Sequence, residues 1–134
     1  MASSLLMKCD GDLDAPLSHL LKLAGEEIRL ARAALPPPLQ QSLARVAIVL
    51  EEFPSPQFLR DGVEPDQLGL FEGADATESD SPQVPRIMLW LGNLWEMCEA
   101  DEAAYREEVR VTFLHELGHY LGLDEDDIAA RGLD

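Results

Sequence analysis

His115-Glu116-Leu117-Gly118-His119 decides how the rest of this chain is read. It is an H-E-x-x-H stretch, and the residues before it have helical character. In a helix, positions four apart share a face, with Cβ atoms about 5–6 Å apart. Two imidazoles so placed can both reach one zinc ion at about 2.0–2.1 Å. Glu116, beside the first histidine, is placed to orient or deprotonate a water at the same ion. Two of the three histidines of the chain fall here. The spacing alone also occurs on ordinary amphipathic helices, so the residues around it carry weight.

Downstream, Gly122 comes three residues after His119 and is followed by Asp124-Glu125-Asp126-Asp127. A catalytic zinc site uses three protein ligands and keeps one position open. The next turn of the same helix points along the axis, so a third ligand requires the chain to turn. Glycine supplies the positive φ that such a turn needs. In the extended pattern H-E-x-x-H-x-x-G-x-x-ligand, the third ligand falls on Glu125, with Asp124 one residue away as its rival. His and carboxylate donors suit zinc and also other divalent ions.

Upstream, Asp101 can cap a long helix over residues 102–121. Asp101, Glu102, Glu107 and Glu108 lie in its N-terminal half, where the helix dipole favours acids. Ala104, Tyr105, Val109, Phe113, Leu114, Leu117 and Leu121 form a stripe able to pack on a sheet. His115 and His119 flank that stripe and so are expected to face a cleft between helix and sheet. A second amphipathic helix is expected over residues 14–35, capped by Asp14 and stopped by Pro36-Pro37-Pro38. His19, on that helix, has no partner at ligand spacing and is expected to be solvated or capping. Strands are expected at residues 46–50, buried because the run is continuously apolar, at 68–71 and at 86–91. Residues 53–66 are expected to be loop. Asn93 is expected to cap a short helix over residues 94–98. Trp90, Trp95 and Met97 are expected in the core. Residues 1–13 and the acidic, Ser- and Pro-rich stretch 72–85 are expected to be mobile.

The chain has 134 residues and a formal net charge of −16, from 26 acids against 10 bases. That length suits a single domain. Such an acidic chain is repelled by phosphate backbones and anionic membranes, so neither nucleic acid nor membrane is an expected partner. A small metal-dependent ribonuclease is disfavoured on the same ground. No secretory signal or membrane-length apolar run is evident, and two cysteines, Cys9 and Cys98, are too few for a disulfide framework. A cytoplasmic monomer acting on a peptide or protein is expected.

With these elements placed, the chain resembles the zincin-like metallopeptidase family, the minimal zincins, over roughly residues 43–132. The resemblance rests on the strand segments, on Leu68-Gly69-Leu70-Phe71-Glu72-Gly73, and above all on the run from Glu107 through the H-E-x-x-H stretch to Asp126. It implies an α+β fold, a small mixed β-sheet packed against an N-terminal helix and an active-site helix. It also implies His115, His119 and Glu125 as Zn2+ ligands and Glu116 as catalytic glutamate. The third ligand departs from the histidine of metzincins, and no methionine turn follows. A zinc-dependent metallopeptidase is the expected function. The alternative is a non-catalytic zinc-binding domain that docks another protein.

Overall fold

The computed structural model describes residues 16–74, 76, 84–123, 126 and 130. The chain order is α1 (Leu17–Ala33), α2 (Pro37–Leu43), β1 (Ala47–Glu51), α3 (Pro56–Arg60), β2 (Gly69–Glu72), β3 (Arg86–Trp90), α4 (Leu91–Met97) and α5 (Glu102–Tyr120). Among the described residues the strands form one three-stranded mixed sheet in the order β1-β3-β2. β1 runs parallel to β3, pairing Ala47 with Arg86 through Glu51 with Trp90. β2 runs antiparallel to β3, pairing Gly69 with Leu89 through Glu72 with Arg86. This is the α+β fold expected from the sequence.

The centre of the sheet goes to the strand that is apolar on both faces. Ile87, Met88, Leu89 and Trp90 of β3 are all buried, as a strand covered on both sides must be. β1 differs from expectation: its residues are half-buried throughout. A continuous apolar run is compatible with either a central or an edge position, and here β3 takes the centre.

The helices close one core around the sheet. On α1, Leu20, Leu23, Ala24, Ile28 and Ala31 are buried at helical spacing. The Tyr105 hydroxyl on α5 donates to Leu20 O at 2.9 Å, and its ring meets Trp95 edge-on at 5.4 Å. Burial pushes the Tyr105 phenol far above its ordinary range. Arg106 adds hydrogen bonds to Glu26 and Glu27 of α1. These contacts fix the long helix that carries the H-E-x-x-H stretch.

Several local expectations change. Pro36-Pro37-Pro38 ends α1 and also starts α2, because proline at a first helical position gives up no needed N–H. Within residues 53–66, expected as loop, Ser55-Pro56 starts α3, with Ser55 Oγ accepting from Phe58 N. α4 begins at Leu91, directly after β3, so Asn93 lies inside it and is buried rather than capping. Trp90 and Trp95 are buried as expected, whereas Met97 is 47% exposed. Asp14, Cys9 and most of the stretch 72–85 lie outside the described residues.

Candidate metal centre

α5 starts where the sequence says it should: Asp101 Oδ1 accepts from Ala104 N at 3.0 Å. It ends in a Schellman turn. Gly122 N donates to His119 O and Leu123 N to Gly118 O, each at 3.0 Å, with Gly122 at φ +81°. The expected glycine turn is therefore present and redirects the chain one turn after His119.

His115 and His119 bring their Nε2 atoms to 3.2 Å, with the rings 4.8 Å apart and nearly perpendicular. A tetrahedral zinc bonded at about 2.0–2.1 Å holds two nitrogens about 3.3–3.4 Å apart. The observed spacing fits that ion closely. Two imidazole nitrogens this close need a proton or a metal between them, since two lone pairs otherwise repel.

β2 forms the facing wall. On the His119 side, His119 and Glu116 line a cleft of about 460 Å³ with Gln67, Gly69, Leu70 and Phe71. On the His115 side, His115 and Glu116 line a second hollow with Leu68, Gly69, Glu108, Val111 and Thr112. Glu116 and Gly69 belong to both, so the two hollows are halves of one groove between α5 and the β2 edge. The groove narrows at Gly69, where an added Cβ would meet Thr112 Cγ2 at 2.8 Å.

The family decides how this groove is read. A family model described as zincin-like metallopeptidase matches residues 43–133. The chain belongs to the zincin-like metallopeptidases. No curated protein matches it. The zincin-like match spans the sheet, α5 and the turn beyond it. Zinc is the metal that this family implies, and the paired Nε2 atoms suit it. Among the described residues, no three His, Cys, Asp or Glu side chains form a metal-holding group. Glu125 and Asp124, the two expected third ligands, lie outside the described residues.

Three residues matter to the zincin-like groove in ways the sequence reading missed. Asn93 Nδ2 donates to Pro65 O and Gln67 O, both at 2.8 Å, and so fastens the segment that leads into β2. No local pattern marks an asparagine that works from inside a buried helix. Gln67 Nε2 continues the chain of contacts by donating to Gly69 O at 3.0 Å. Glu108, read only as an acid near the helix start, lies in the groove seven residues before His115, a spacing that does signal a shared face.

Among the described residues, neither tyrosine lines either hollow. Tyr105 is held by Leu20 O, and the Tyr120 hydroxyl donates to Ser42 O at 3.1 Å. His19 pairs with Glu102 at 3.2 Å on the surface, away from the histidine pair. Cys98 is a half-buried free thiol. Burial, followed by the charges of Glu108 and Asp101, pushes it above the usual thiol range. Among the described residues no helix is long and apolar enough to cross a membrane.

Proposed function

We propose that the groove hydrolyses peptide bonds, with Zn2+ held by His115, His119 and a carboxylate beyond Gly122, Glu125 by motif and otherwise Asp124. The convergence of the two Nε2 atoms to 3.2 Å beside Glu116 carries this reading. When bound, zinc supplies Lewis acidity that polarises a carbonyl and acidifies water. Glu116 follows His115 in sequence and lines both halves of the groove, which supports its carboxylate as the group that takes a proton from the attacking water. The same carboxylate then delivers that proton to the leaving amine.

The sheet supports one placement of the substrate. β2 is an edge among the described residues, and an extended peptide can add to such an edge through its backbone groups. Gln67 to Phe71 would then hold the substrate beside α5, along the lining of the His119 side. The tyrosine contacts to Leu20 and Ser42 leave the oxyanion to donors other than Tyr105 and Tyr120.

The test is Glu116→Gln. This variant should bind zinc as the parent does and lose about 10²–10⁴-fold in kcat on any cleaved peptide, the range of general acid–base catalysis. Undiminished hydrolysis in Glu116→Gln contradicts the role given to this glutamate.

A further inference from the structure

The two halves of the groove differ in chemistry. The His119 half presents Leu70, Phe71 and the amide of Gln67. The His115 half is lined by Leu68, Val111 and Thr112 together with Glu108 and Glu116. Apolar side chains beside an acid other than the proposed general base Glu116 match a side chain with an apolar stem and a cationic head.

Among the described residues, the bases nearest in sequence do not take up that acid. Arg110 is engaged by Glu107 through its Nε and Nη2 atoms. Arg106 is engaged by Glu26 and Glu27. Glu108 acts on Arg110 through its field alone. Along the helix, the seven residues from Glu108 to His115 span about 10 Å at 1.5 Å per residue. Two extended residues cover about 7 Å of that, and a lysine or arginine side chain covers the rest.

We propose that Glu108 selects a lysine or arginine side chain within two residues of the scissile bond, with its stem on Leu68 and Val111. The proposal rests on the peptidase reading for its frame, but its core, a cation-selecting half-groove, is a matter of binding. Glu108 is a specificity residue in this account and not a catalytic one.

Fluorescence anisotropy on the zinc-loaded Glu116→Gln protein tests it. The probes are labelled alanine- and leucine-rich decapeptides that carry one lysine, one glutamate or neither. The lysine peptide should bind about tenfold more tightly than the glutamate peptide, as one desolvated charge pair allows. Adding Glu108→Gln should bring that ratio below about threefold. Adding Glu99→Gln, an equal charge change at an exposed turn, should leave it intact. Equal affinities, no binding of any peptide, or a preference that survives Glu108→Gln overturns the proposal. So does a preference that falls equally in Glu99→Gln, since that marks bulk charge.

Hydrolysis of the same peptides by the parent protein separates the two claims. Cleavage without a lysine preference overturns the Glu108 proposal and leaves the peptidase reading standing. A Glu108-dependent lysine preference in binding, without cleavage, does the reverse.

Discussion

Gly69 on β2 and Thr112 on α5 touch so closely that a Cβ on the glycine would lie 2.8 Å from the threonine Cγ2. Thr112 is one turn before Glu116, so this contact sets how near the edge strand comes to the H-E-x-x-H helix. The same added Cβ would lie 3.1 Å from Met88 O, which is backbone and cannot rotate away. Gly69→Ala should therefore destabilise the fold by about 1–3 kcal/mol, the usual cost of overpacking. Thr112→Ser removes the nearest atom, so the double variant should recover part of that loss. Denaturant unfolding of both single variants and the double variant measures the coupling; strict additivity would show that the two residues are not in contact.

Asn93 is buried and carries two hydrogen bonds to the segment that leads into β2. Asn93→Leu should cost about 1–3 kcal/mol, because Pro65 O and Gln67 O lose their donor. The loss should be local as well as global. Amide hydrogen exchange at residues 66–69 should accelerate more than exchange in α1. Uniform acceleration across the chain would contradict a positioning role.

Gly122 sits at φ +81° in the turn that ends α5. A side chain there pays the left-handed penalty, so Gly122→Ala should destabilise the turn by about 1 kcal/mol. If residues beyond the turn supply the third ligand, zinc affinity should fall along with stability. Competition with a zinc chelator checks this, and unchanged affinity in a destabilised variant would place the third ligand elsewhere.

The site helix was legible from sequence because its signals are local. Asp101 capped it, Gly122 ended it, and the four-residue spacing of His115 and His119 was enough to foresee two nitrogens meeting at one point. The α+β class and all three strands were legible for a similar reason, since short apolar runs bounded by turn residues mark them. Long-range placement was not legible. The apolar run of β1 gave no sign that β3 would take the centre. The Ser55-Pro56 helix start was hidden among prolines that read as loop. Asn93 followed the preference of asparagine for caps and instead serves a loop about 26 residues away in sequence. Nothing local to Gly69 signalled that it meets Thr112 of α5 so closely.

Metal content tells whether His115 and His119 hold a metal. Protein purified without added metal, and the His115→Ala/His119→Ala variant prepared alongside, should be analysed by mass spectrometry for bound ions. The parent should carry about one zinc per chain and the variant none, with the fold intact by circular dichroism. A parent that binds no zinc even when zinc is offered, or a variant that keeps it, would show that the two histidines do not hold the metal.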